Sequence, residues 1–127
     1  MSVSDILDSF RKTVPECNLV AYIDLGASMV LSVSAPTKQR QERLDALGEA
    51  ASQLLPSADD PLAKSLSLSE NSVPQVALML SLTDTTAYIR STSDRGEALC
   101  CSCTPDVAVD AMLGAARAVL SEIAAAE

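Results

Sequence analysis

The strand-like stretches of this chain are joined by connections too short for a crossover, so within each group they can only pair antiparallel. Residues 18–24 and 28–34 flank a turn at Leu25-Gly26. Residues 75–82, 85–92 and 97–103 form a meander through turns at Thr83-Asp84 and Ser93–Gly96. Gly96 suits the turn position that tolerates positive φ. Val20, Ala21, Tyr22 and Ile23 are successive apolar or amphipathic residues, so this strand is expected to be covered on both faces.

Three helical patterns surround these strands. Ser4 is the expected cap of the first, with Asp5 in its first turn and an apolar stripe of Ile6, Leu7 and Phe10. Pro15 ends it near Thr13. The second is capped at Thr37 and runs to about Leu55, stopping before Pro56. Leu44, Leu47, Gly48, Ala51, Leu54 and Leu55 make its stripe, and Arg40, Asp45, Glu49 and Gln53 point elsewhere. Gly48 costs about 1 kcal/mol relative to Ala in a helix interior, and reads either as room for a close backbone approach or as a glycine that is simply tolerated. Thr104-Pro105-Asp106 starts the last helix, which runs to about Ala125. Its stripe is Val109, Met112, Leu113, Ala116, Val119, Leu120 and Ile123. Residues 56–74 hold three prolines and many serines; Leu62, Leu66 and Leu68 lead one to expect partial anchoring, with room for a helical turn at Pro61–Lys64.

The order α-β-β-α-β-β-β-α predicts an α+β domain: a five-stranded antiparallel sheet with helices on both faces. The 127 residues suffice for one domain, 1–127. A composition 48% hydrophobic and 20% charged excludes general disorder. No apolar run is long enough to insert in a membrane. A net charge of −8 argues against nucleic acid as a partner. The first residues lack the basic and apolar regions of a secretory signal, and the last match no lipidation pattern. The expected location is cytoplasmic, with the cysteines reduced.

Little points to catalysis. Histidine is absent, which removes the commonest general base and metal ligand. The serines lie in no G-x-S-x-G motif, and the four glycines do not cluster into a phosphate loop. Asp59-Asp60 reads as a solvated pair. Cys101 and Cys103 share a strand face with Leu99 while Cys100 faces the other way; no C-x-x-C is present, and Cys17 would have to converge with residues on two faces to complete a four-thiol metal site. These cysteines read as small buried hydrophobes. No catalytic, cofactor or metal residues are assigned. The run Lys38-Gln-Arg40-Gln-Glu-Arg43 is the one local positive patch, and Arg40 and Arg43 are the candidates for contact with an acidic partner.

In element order and pattern the chain resembles the roadblock/LC7 family over nearly its whole length. The resemblance lies in the hairpin Leu19–Val33 with Asp24-Leu-Gly26 at its turn, the amphipathic helix Lys38–Leu55 and the final helix Pro105–Ala124. The serine-rich 56–74 segment and the cysteine-rich last strand depart from that family's pattern. The resemblance implies a homo- or heterodimer in which second helices pack together and third strands pair into a ten-stranded sheet. It also implies a non-catalytic scaffold or regulator of a small Ras-like GTPase, or a dynein-associated chain. The residues expected at the dimer interface are Leu44, Leu47, Gly48 and Ala51 on the helix and Val76, Leu78, Met79 and Leu80 on the strand. The apolar, uncharged stretch 75–82 fits this independently, since at a sheet edge it would need covering.

Two other readings compete. A small acidic dimeric chaperone for a secreted effector fits the size and charge but requires three strands before the second helix. A small-molecule sensor requires a concave apolar pocket, and only three aromatic residues are available to line one.

Overall fold

The computed structural model describes residues 2–56, 75–91 and 96–126. The expectations for the rest of 56–74 and for Ser93–Arg95 lie outside them. The order is α1 (Val3–Thr13), β1 (Cys17–Asp24), β2 (Met29–Ser34), α2 (Gln41–Leu54), β3 (Val76–Leu80), β4 (Thr85–Arg90), β5 (Glu97–Cys103) and α3 (Val109–Ala126). The strands form one antiparallel sheet in the order β2-β1-β5-β4-β3. β5 is the buried strand that joins the N-terminal hairpin to the meander, so β2 and β3 become the two edges.

Helices cover both faces, as the pattern required. On one face Ile6, Leu7 and Phe10 of α1 meet Met112, Ala116, Leu120 and Ile123 of α3 above Val20, Tyr22, Ala87, Ile89 and Leu99. On the other, Ala51 and Leu55 of α2 pack on Leu19, Ala21, Ile23, Tyr88, Ala98 and Cys100. α1 lies over β1 and β2, and α3 over β4 and β5.

The helix starts differ from expectation at all three sites. Ser2, not Ser4, caps α1: its hydroxyl accepts from the Asp5 N–H at 3.2 Å while the Asp5 carboxylate bonds back to Ser2. This capping box satisfies two backbone donors at once and adds residues to the helix start. Thr37 caps nothing; its carbonyl accepts from the Gln39 amide at 3.0 Å, and α2 begins only after Arg40, which has no capping side chain. Thr104 donates to the Asp106 carboxylate, and the Val107 N–H reaches the Thr104 carbonyl at 3.2 Å. This isolated turn buries Val107, and α3 starts at Val109.

Two turns show their physical cause. The Asp24 carboxylate accepts from the N–H groups of Gly26 (2.9 Å) and Ala27 (3.2 Å), folding the β1–β2 turn. Gly96 has φ +68°, the left-handed conformation expected of it.

Candidate interaction surface

The two sheet edges are built differently. In the β1–β2 pair, Tyr22 opposes Ser32 and Ile23 opposes Val30, so Leu31 is an extra residue in a bulge. A bulge twists an edge away from further pairing. β3 has no such interruption: Val76 to Leu80 oppose Ile89 to Thr85 in unbroken register. It carries no charge and no proline. Its apolar side chains are exposed, Leu78 44%, Met79 53% and Leu80 72%, and Leu82 in the following turn is 99% exposed.

The hydrogen bonds at its ends fix which backbone groups face outward. The Arg90 N–H donates to the Gln75 carbonyl at 2.8 Å, and the Ser81 N–H to the Asp84 carbonyl at 2.9 Å. In an antiparallel ladder alternate residues bond to the neighbour. Residues 75, 77, 79 and 81 therefore face β4, while Val76, Leu78 and Leu80 present N–H and C=O to the open side. The side chains divide as well. Leu78 opposes Ala87 on the α1/α3 face, with Leu80 alongside by alternation, and Met79 lies on the α2 face.

The expected helical contributors are placed less uniformly. Leu44 and Leu47 are half-buried at the margin of α2. Gly48 and Ala51 are already covered within the chain. A Cβ on Gly48 would lie 2.3 Å from the Ser28 carbonyl oxygen. The absent side chain thus admits the chain's own β1–β2 turn, and helix-to-helix contact is not needed to explain it. Ser28 sits at φ +54° and shares a 2.8 Å hydrogen bond with Ser52, whose hydroxyl also donates to the Leu25 carbonyl at 2.9 Å. Just beyond the same end of α2 the Arg90 guanidinium donates to the carbonyls of Leu55 (2.5 Å), the C-cap residue, and Pro56 (2.9 Å), holding the helix end from β4.

Arg40 and Arg43 are both exposed and stand three residues apart at the start of α2, where the Arg43 N–H donates to the Arg40 carbonyl at 3.1 Å. Lys38 borders an open groove of about 390 Å³ before α2, lined by Val33, Ala35, Pro36 and Leu44, and Arg40 lines a separate shallow concavity with Lys38, Gln39 and Gln41.

The thiols are drawn together more than strand alternation allows. β1 carries an extra residue, Asn18, between Cys17 and Leu19. That irregularity turns Cys17 onto the α1/α3 face, where it opposes Cys103 and interacts with Cys101. Cys100 stays on the α2 face against Tyr88. All four are free and buried. The hydrogen bond with Cys101, together with burial, raises Cys17 to about 12, and burial raises Cys100 to about 12. Groups held so firmly in the protonated form are poor nucleophiles. Among the described residues no cluster of His, Cys, Asp or Glu is arranged to hold a metal ion. No described helix is long and apolar enough to cross a membrane.

Two strands, not three, precede α2, so the order that the chaperone reading required is not found. No family model matches the sequence, and no curated protein matches it significantly. Solved structures do. A roadblock/LC7 domain from Streptomyces avermitilis superposes with a TM-score of 0.78 at 11% identity, covering 98% of this chain and 97% of that one. The gliding protein MglB from Thermus thermophilus gives 0.73 at 14% identity, over 97% and 86%. An MglB with a tetrameric arrangement gives 0.72 at 12% identity, over 97% and 85%. With element order, sheet order and near-complete coverage in agreement, the chain has the roadblock/LC7 fold.

Proposed function

We propose that this chain is a non-catalytic protein-interaction module that self-associates by antiparallel pairing of β3 with β3 of a second copy. One observation carries the proposal: of the two sheet edges among the described residues, both uncharged and both with exposed apolar side chains, only β3 keeps an unbroken register. Pairing it would satisfy the outward N–H and C=O groups of Val76, Leu78 and Leu80 and remove an aggregation-prone edge. Leu44 and Leu47, half-exposed on α2, and Met79 on the same sheet face extend the contact; Gly48 and Ala51 support it from within. The tetrameric arrangement of a structurally similar MglB is a precedent for self-assembly on this fold.

The partner class proposed for the dimer is a small Ras-like GTPase, as the roadblock/LC7 resemblance implies, with a scaffold or regulator role in the cytoplasm. Arg40 and Arg43 are the proposed contacts to acidic groups of that partner. Sedimentation velocity across a concentration series tests self-association. A dimer at micromolar concentration is expected, and a chain that remains monomeric there overturns the proposal.

A further inference from the structure

Cys17 and Cys103 stand directly opposite one another where β1 begins and β5 ends. The surrounding backbone shows which kind of pair they make. The Thr104 N–H donates to the Glu16 carbonyl at 2.9 Å, one position outside the pair, and the Cys17 N–H is spent on the Val14 carbonyl at 3.0 Å. The two cysteines are therefore a non-hydrogen-bonded pair, the closer kind in an antiparallel ladder, with α carbons about 4.5 Å apart. A disulfide bridges α carbons about 4.4–6.8 Å apart. The extra residue Asn18 brings both side chains to the α1/α3 face, where the Cys17 thiol hydrogen-bonds with the thiols of Cys101 and Cys103.

The other pairings are poorer. Cys101 and Cys103 are alternate residues of one strand, about 6.5–7 Å apart, at the limit of a bridge. Cys101 is diagonal to Cys17, since its own strand partners are Val20 and Ala87. Cys100 opposes Ala21 and Tyr88 and lies on the α2 face. We infer that Cys17 and Cys103 are a cross-strand disulfide site, bridged when the chain folds in the presence of a small disulfide oxidant and left as the dithiol when it folds under reducing conditions.

The bond forms before the core closes. In the unfolded chain the Cys17 thiolate attacks one sulfur of oxidised glutathione, whose S–S bond breaks, and one glutathione thiolate leaves. The Cys103 thiolate then attacks the Cys17 sulfur of the mixed disulfide and expels the second glutathione thiolate. The two protein thiols lose two electrons and two protons, and the oxidant becomes two glutathione thiols. Folding seals the result: Cys17 is 3% exposed and Cys103 0%, in one apolar cluster with Phe10, Val14 and Val107. Neither oxidant nor reductant reaches thiols so placed, so the folded chain keeps the thiol state in which it folded. The bond ties the α1–β1 connection to the β5–α3 connection and closes a loop of about 85 residues that contains all five strands.

The test uses the full chain, unfolded and refolded by dilution either with reduced and oxidised glutathione or with dithiothreitol. Alkylation in denaturant followed by mass then counts the free thiols. Oxidative refolding should leave two of the four cysteines alkylated, in a species of single-chain mass on non-reducing electrophoresis. Its melting temperature should lie about 5 °C or more above that of the dithiol form. Cys101→Ala should keep the bond, and Cys103→Ala should lower its yield about tenfold. Dithiothreitol should reduce the folded oxidised chain about tenfold more slowly than the same chain in denaturant. Four free thiols after oxidative refolding, a bond to Cys100 or between chains, an equal yield from Cys103→Ala, or a melting temperature that does not rise overturns the site. Reduction as fast in the folded chain as in denaturant overturns the sealing.

Discussion

Gly48 and Ser28 are in backbone contact: a methyl group on the Gly48 α carbon would sit 2.3 Å from the Ser28 carbonyl oxygen and 2.8 Å from its carbonyl carbon. Both atoms belong to backbone that cannot swing aside like a side-chain tip. Ser28 is further held at φ +54° and by its hydrogen bond to Ser52. Gly48→Ala should therefore destabilise by about 1–3 kcal/mol through overpacking, despite about 1 kcal/mol of gained helix propensity. Gly114 in α3 meets nothing within 4 Å of an added Cβ. Gly114→Ala should stabilise by about 0.5–1 kcal/mol. Thermal unfolding of the two variants should shift in opposite directions; a neutral Gly48→Ala would mean that the turn is only loosely seated on α2.

The outward backbone of Leu78 offers a way to separate pairing between copies from folding within one. Its N–H faces away from β4, so Leu78→Pro removes a donor that the chain itself does not use. The variant should keep its circular dichroism spectrum and sediment as a monomer at concentrations where the parent is dimeric. Leu31→Pro, in the bulge on the opposite edge, should leave the mass unchanged. A dimeric Leu78→Pro would place self-association on another surface.

The thiols should be silent toward alkylation in the folded chain. At pH 8 a thiol held near 12 has roughly 1,000-fold less thiolate than one at its ordinary value near 9. Iodoacetamide labelling followed by mass should be slow until denaturant is added. The same raised values set a pH dependence. Below pH 9 the thiols are protonated whether folded or unfolded, and their contribution to stability is constant. Between pH 9 and about 12 the unfolded chain loses protons that the folded one keeps, so stability falls with rising pH. Each such thiol adds a slope of about 1.4 kcal/mol per pH unit at most. Cys100→Ala should flatten the decline, as read by urea denaturation at pH 8 and pH 10.5.

Arg90 ties β4 to the carbonyls of Leu55 and Pro56 just after α2, and burial lowers its pKa from the ordinary arginine value. Arg90→Ala should cost about 1–3 kcal/mol, since it leaves carbonyls at a helix end without their charged donor. Hydrogen exchange should quicken first at the C-terminal turn of α2. Arg90→Lys keeps the charge but loses the forked donor, and should recover only part of the loss.

The element order was legible because it rests on local signals. Short turns force antiparallel pairing, 3.6-residue stripes mark three helices, and Gly96 marks a positive-φ turn. The helix starts were less so. Ser2, Ser4, Thr37 and Thr104 are all capable caps by residue type. The choice among them depends on whether the hydroxyl meets a backbone donor or, as with Thr104, is engaged by a neighbouring carboxylate. For Gly48 the sequence left a close approach and mere tolerance both open, and the contact with the chain's own turn at Ser28 is visible only in the fold. The convergence of Cys17 on Cys101 and Cys103 could not be read from alternation, because the extra residue Asn18 changes its face.

By itself the sequence determined the class of the protein: an α+β domain without the residue types for histidine-based catalysis, with one uncharged apolar stretch, 75–82, to cover, of which Val76–Leu80 forms the strand β3. Only the tertiary structure decided that this strand is an edge. Its position follows from β5 returning to pair with β1, a contact between residues some eighty positions apart such as Ala21 and Cys100. No local pattern encodes that pairing. It is selected by burying both faces of β1 and β5 at once, and it leaves β3 outside as the surface through which the chain can act.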